Sequence, residues 1–300
     1  MNRRHLMIVL TFPIFLMYNC SETQPESSNP YRINSGLNPG INIGNALEAP
    51  NEGEWGVVIK DEYFPLIKSA GFNSVRLPIR WSAHADINPP YTISDDFMNR
   101  VRHIVDTALE HKLYVVINVQ HFQEIYTEPI ENKPRLLAFW HQIGLAFKDY
   151  PQTLLFEPLN EPHFNLTPEL WNEWIPELID TIRVTNPNRT LVIGTADWGG
   201  IWKMKELKLP TTERNLILAI HYYEPFRFTH QGAEWEKESN AWLGRTWTKT
   251  TDQMQELNQH FDLIKKFADS LGVPVYIGEY GCYNRAPEES RLIWTRTVSE

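Results

Sequence analysis

Cysteine is nearly absent: the 300 residues hold two, Cys20 and Cys282. That is too few for a disulfide framework, and no Cys/His spacing reads as a zinc site, so no metal is expected. Cys282 reads as a small, half-buried thiol. The chain also lacks an excess of basic charge. Its net charge of −9 would attract neither nucleic acid nor an anionic membrane. No G-x-G-x-x-G or Walker loop follows any strand-like run, which weakens a dinucleotide or nucleoside-triphosphate reading, and no organic cofactor is expected. No internal repeat is evident beyond an alternation of strand and helix.

The first apolar run, Leu6–Met17, has twelve residues, short of the roughly 20 a spanning helix needs. Arg3, Arg4 and His5 precede it and Cys20 follows it. Residues 1–20 therefore read as an export signal. A Cys directly after the apolar run is similar to a bacterial lipoprotein signal, in which Cys20 is acylated and becomes the new N-terminus. Asn19 departs from the small residue usual there. A plainly cleaved signal and an uncleaved anchor stay open, and a lipid on Cys20 is the only membrane contact expected. Residues 21–35, polar and Pro/Ser-rich at their start, read as a flexible tether.

From residue 36 onward, apolar runs alternate with amphipathic stretches. Strands are predicted at Gly40–Asn45, Asn73–Pro78, Leu113–Val119, Leu154–Asn160, Thr190–Gly194, Leu216–His221 and Val273–Gly278. Helices are predicted at Val57–Ala70, with Gly71 as C-cap signal, and at Phe97–His111, Leu136–Phe147, Pro168–Val184, Met254–Ser270 and Glu288–Val298. Thr167 and Pro168 are the start signals of the fourth of these. Unbroken apolar strands separated by helices imply a parallel sheet covered on its outer face. Seven such units fit a (β/α)8 TIM barrel spanning residues 36–300 as one domain. The eighth strand and helix are missing from the pattern. The sequence is accordingly expected to be a truncated copy of a longer product, since an open barrel leaves two unpaired edges.

Two of the predicted strands end alike. Leu154-Leu155-Phe156-Glu157-Pro158-Leu159-Asn160-Glu161-Pro162 and Val273-Pro274-Val275-Tyr276-Ile277-Gly278-Glu279-Tyr280-Gly281 each run from apolar residues to a glutamate. Either glutamate alone reads as a solvated loop carboxylate. Together, at the C-terminal ends of barrel strands where active sites lie, Glu161 and Glu279 point to acid/base or nucleophilic work on a neutral substrate. Pro158 is out of place in a barrel strand, because it removes a ladder donor.

These stretches, with Asn73-Ser74-Val75-Arg76-Leu77-Pro78 and the runs GINIGNALEAPNEGEWG and HYYEPFRFTHQGAEW, resemble glycoside hydrolase family 5, its bacterial cellulase branch in particular. The resemblance covers residues from about 36 to the end. It implies a retaining endo-β-1,4-glycanase acting on β-glucan, with mannan or glucomannan also open, and a polysaccharide as the partner of a monomeric chain. It makes Glu161 the general acid/base and Glu279 the nucleophile. Arg76 becomes the donor that holds Glu279 ionised, and Asn160 the donor to the sugar 2-hydroxyl. His221 and Tyr223, two apart on the sixth strand and so on one side of it, serve the acid/base and the nucleophile respectively. Asn45 and Glu48 fall at the sugar-binding floor. Trp198 is a stacking platform, with core filling as the alternative. His121 keeps the second of two adjacent histidines common in relatives, whereas Gln120 replaces the first. A glutamine can donate and accept a hydrogen bond but cannot become cationic. The family's aromatic platform after strand eight would lie past Glu300. Two other readings stay open: a glycan-binding barrel without catalysis, favoured by Gln120 and the missing strand, and a phosphate-binding metabolic barrel.

Overall fold

The computed structural model describes residues 29–300. The predicted export signal with Cys20, and residues 21–28 of the expected tether, lie outside the described residues. The end of that tether is not loose. Helix α1 (Pro30–Leu37) begins there, with Pro30 at its first turn and the Asn29 side chain accepting from the Tyr31 amide.

The chain then alternates strand and helix: β1 (Gly40–Asn42), α2 (Tyr63–Ser69), β2 (Ser74–Leu77), α3 (Asp95–Glu110), β3 (Tyr114–Asn118), α4 (Gln123–Thr127), α5 (Pro129–Ala146), β4 (Leu154–Glu157), α6 (Pro168–Arg183), β5 (Leu191–Gly194), β6 (Leu216–Tyr222), α7 (Phe226–Thr229), α8 (Thr251–Leu271), β7 (Val275–Tyr280) and α9 (Glu288–Ser299). All seven strands are parallel and lie in chain order, forming a nearly closed (β/α)8-type barrel. No β1–β7 ladder is present among the described residues. Two side-chain amides reach β7 instead: Asn34 Nδ2, from α1, donates to the Val275 carbonyl at 2.8 Å, and Asn42 Nδ2, from β1, to the Gly278 carbonyl at 2.9 Å.

Period-two alternation sorts each strand between two cores. Val115 and Ile117, Leu154 and Phe156, Leu191 and Ile193, and Leu216, Leu218 and Ile220 belong to the larger core shared with the helices. Val116, Leu155, Val192, Ile217 and Ala219 form a separate core with Ile33 and Leu37 of α1, so that α1 closes the floor of the barrel. Following the same alternation upward brings Arg76, Glu157 and His221 to the interior at the strands' C-terminal ends; Glu279, on the outward parity of Ile277, joins them only through an irregularity in the β6–β7 ladder.

Several predicted boundaries shift: β1 stops at Asn42 rather than Asn45, α2 begins at Tyr63 rather than Val57, and three more are instructive. Strand β4 stops at Glu157, not Asn160. Pro158 therefore lies past the ladder, and its carbonyl accepts from Trp140 Nε1 at 2.8 Å, which removes the difficulty of a proline inside a barrel strand. Strand β7 begins and ends two residues later than predicted and contains Glu279. Helix α5 starts at Pro129, seven residues before the predicted Leu136, and carries Pro134 in its second turn, where a proline ordinarily marks a start.

The floor packing is testable. Leu37 is 1% exposed, so Leu37→Ala should cost about 2–5 kcal/mol in urea unfolding. A cost well under 1 kcal/mol would show that α1 does not seal the barrel.

Candidate active site

The centre of the upper barrel is one guanidinium. Arg76, on β2, is 0% exposed, and a buried arginine must satisfy five N–H groups. It donates from Nε to Glu157 Oε2 at 2.7 Å and from Nη2 to Glu157 Oε1 at 2.8 Å, a bidentate pair. Nη2 also donates to Asn160 Oδ1 at 2.8 Å. Nη1 donates to Asn42 Oδ1 at 3.1 Å and to Glu279 Oε1 at 2.7 Å. Five bonds match five hydrogens.

Glu279 receives a second donor, the Tyr223 hydroxyl, at 2.8 Å on Oε2. Burial alone would raise its carboxyl. The charges of His221 and Arg76, with the hydrogen bonds from Tyr223 and Arg76, override that and hold it down at about 2. Glu161 lies just beyond β4, on a backbone with φ of 43°. Its Oε1 is 2.6 Å from His221 Nδ1. Burial raises Glu161 above the usual carboxylate range more than His221 lowers it, and the Glu279 charge adds to the rise. His221 is raised too. Burial would lower it, but the charges of Glu279 and Glu161 outweigh that. At this distance the pair titrates as a unit over one shared proton. The two glutamates are thus driven in opposite directions, as a proton donor and an ionised carboxylate require.

A bulge makes this placement possible. Ile220 pairs with Ile277, but His221 pairs with Glu279, leaving Gly278 as the extra residue. A Cβ at Gly278 would lie 3.0 Å from His221 Nε2. Gly199, at φ +68°, closes the other side, where a Cβ would lie 3.2 Å from His221 Cγ and 3.3 Å from Glu161 Cγ.

The remaining predicted residues surround this centre. Asn160 spends its carbonyl oxygen on Arg76, which leaves Nδ2 to donate. Glu48 is buried and accepts from the Asn45 amide and, at 3.0 Å, from the Ala46 amide. Burial raises its carboxyl despite these donors, with a contribution from the charge of Glu279. Asn45, at φ 61°, forms this turn through its backbone. Gln120 is buried, and its Oε1 accepts from Asn118 Nδ2 at 2.8 Å, leaving Nε2 to donate. His121 packs edge-on to Trp55 at 5.5 Å, and burial followed by the charge of Arg80 lowers it. Trp198 is 49% exposed, with one face stacked on His163 at 3.5 Å. It is a rim ring and does not fill the core.

Several residues here escaped the sequence reading. Glu157 and Asn42 complete the Arg76 cluster. His163 is stacked between Tyr126, at 3.9 Å, and Trp198, its Nδ1 on the Glu161 carbonyl. The Tyr126 hydroxyl donates to the Asn160 carbonyl at 2.7 Å. One signal was available for Glu157: a charged residue in an apolar barrel strand must be paired, and Arg76 is a second such residue.

Among the described residues, Glu161, His221 and Glu279 bring one ligand atom each within 4.8 Å of one another, close enough for a small cation. Arg76 already supplies positive charge there and both Glu279 oxygens already accept hydrogen bonds, a donor set that suits an ion-paired carboxylate better than a metal ligand.

The profile of the family described as Cellulase (glycosyl hydrolase family 5) matches residues 40–300. Endoglucanase H of Acetivibrio thermocellus is 34% identical over 278 residues, 93% of this chain and 29% of that protein. Endoglucanase B of Clostridium cellulovorans is 30% identical, over 84% of this chain and 61% of that protein. The chain thus spans less than two thirds of the length of these curated relatives. The endoglucanase Cel5A of Thermotoga maritima superposes with a TM-score of 0.88 at 52% identity, over 90% of this chain and 87% of that one. It has been solved in complex with cellobiose and with mannotriose.

The packing around Gly199 yields a prediction. Gly199→Ala should cost about 1–2 kcal/mol for a left-handed alanine and push the His221 ring and the Glu161 carboxylate apart. Urea unfolding reads the first effect, and the chemical shift of the proton between His221 and Glu161 reads the second. A variant unchanged in both would refute the contact.

Proposed function

This chain belongs to glycoside hydrolase family 5, and from that premise we propose that it is an endo-β-1,4-glucanase that cleaves internal bonds of β-glucan with retention of anomeric configuration. Glu279 attacks the anomeric carbon while Glu161 delivers its proton to the leaving glycosidic oxygen. The bond to that oxygen breaks and a glycosyl ester forms on Glu279. Water, deprotonated by the same Glu161, then attacks the anomeric carbon, releasing the sugar and restoring the Glu279 carboxylate. Tyr223 and Arg76 hold the nucleophile, and Asn160 Nδ2 is free to donate to the 2-hydroxyl, a bond that strengthens as the oxocarbenium character grows.

The observation that carries this reading is the separation. Oxygens of Glu161 and Glu279 lie within 4.8 Å, in keeping with the roughly 5–5.5 Å of carboxyls in retaining enzymes and short of the roughly 6.5–9.5 Å that leaves room for an inverting water. The substrate follows from the relatives, named as endoglucanases. The mannotriose complex of the Thermotoga protein makes mannan and glucomannan the second substrates to try. Export with a lipid on Cys20 is part of the proposal. It rests on residues 1–20 alone, and lipid labelling that persists in Cys20→Ala would refute it.

The expected outcomes are specific. Reducing ends are released from carboxymethylcellulose, and proton NMR finds the β-anomer as first product; an α-anomer would sink the retaining mechanism. Glu279→Gln abolishes turnover. Glu161→Gln lowers kcat by about 10²–10⁴-fold, and less with an aryl glycoside whose leaving group needs no proton. Activity requires Glu279 ionised and Glu161 protonated, so kcat/KM rises with pH through the low value of Glu279 and falls through the raised value of the Glu161–His221 unit. Binding of cello-oligosaccharides without any hydrolysis would point instead to a glycan-binding barrel.

A further inference from the structure

We propose that Glu157, which takes no part in the steps above, is the positioning residue that orients and charge-balances Arg76 and thereby sets the nucleophile. This deepens the reading of the same site and rests on it. Glu157 is 2% exposed, ends β4, and is held against Arg76 by two parallel bonds of 2.7 and 2.8 Å, the one bidentate contact among the guanidinium's partners. Those two bonds use the Nε–Nη2 edge of the guanidinium. A planar group held along one edge has its other nitrogen aimed. That nitrogen, Nη1, is the one on Glu279, 2.7 Å away. Asn160 on Nη2 and Asn42 on Nη1 take the remaining hydrogens without adding charge.

The charge count gives the second half of the argument. Arg76 lies between two carboxylates, Glu157 and Glu279. When Glu279 becomes a glycosyl ester it loses its charge. Without Glu157, Arg76 would then be a buried cation with no carboxylate on its nitrogens, since the charge that Glu161 gains on giving up its proton lies against His221, and that state is costly. With Glu157, Arg76 keeps a partner throughout, and forming the ester does not strand it. Glu157 also shares the field of Arg76, so the nucleophile is not over-stabilised as a free carboxylate. The other charged or titratable groups facing this cluster are His221 and Glu161 from β6 and the β4 loop, Tyr223 and Tyr276 from the β6 end and β7, Tyr126 from α4, Glu48 from the loop after β1 and His121 from the loop after β3.

Two variants separate orientation from charge. Glu157→Asp keeps the charge but is too short to hold both nitrogens. Arg76 should draw back from Glu279, so Glu279 titrates higher than in the wild type. Glu157→Gln keeps the shape but removes the charge. Glu279 becomes the only counter-ion of Arg76 and titrates lower. In both, kcat should fall, by up to about 100-fold for a misplacement of order 1 Å, while KM changes little. Carboxyl carbon-13 NMR titration of Glu279 reads the shifts in the resting protein, independent of turnover. Steady-state kinetics on carboxymethylcellulose reads the rest. The proposal is overturned if whichever variant folds shows Glu279 titrating as in the wild type, or if only thermal stability falls. A wild type that does not hydrolyse glucan overturns the function proposed above, and the titration shifts still decide the role of Glu157.

Discussion

Everything in the upper half of this barrel depends on burying one guanidinium. Arg76 has no access to water, so each of its N–H groups must find an acceptor inside the protein or the fold loses several kcal/mol. The acceptors come from β1, β4, the loop after β4, and β7. A requirement of one side chain therefore ties together four segments that are far apart in the chain. It also brings Glu279 under a positive charge, which keeps that carboxyl ionised.

The inward-facing positions of the strands divide into two layers. Lower interior positions are apolar and are sealed by α1. Upper ones are charged or polar, buried at Arg76 and Glu157 and partly exposed at Glu279. This lets a stable floor support a site full of buried charge, a combination that would otherwise be unfavourable. The loops that follow the strands carry the strain. Of the nine non-glycine residues with positive φ among the described residues, six, Asn45, His121, Glu161, Phe164, Asp197 and Trp198, follow strands at this end of the barrel; the conformation is least common for Glu, Phe and Trp, which lack the tolerance of Asn, Asp and His. All six lie at or beside the site, where strain persists because the surroundings over-determine it.

Much of this was legible from residue order. The α/β alternation survives because most strands lie in apolar runs and most helices have one apolar face, and both are local properties. Glu161 and Glu279 stood out because a glutamate ending an apolar run is conspicuous in one dimension. Glu157 was passed over because its partner is 81 residues away: a charge in an apolar strand implies some partner, but only the fold shows which. His163 was hidden for a similar reason: a stack between Tyr126 and Trp198 exists only once three loops meet.

What the sequence by itself determined, then, is the class of fold, the family, and which residue types stand at the strand ends, because periodicity and motif are written in neighbouring residues. The tertiary structure decided which carboxylate keeps a proton and which stays charged. Two glutamates are chemically identical until one is placed against a buried imidazole and the other beneath a guanidinium. That difference arises from burial and from charges contributed by distant segments, which interact only when the barrel brings them together.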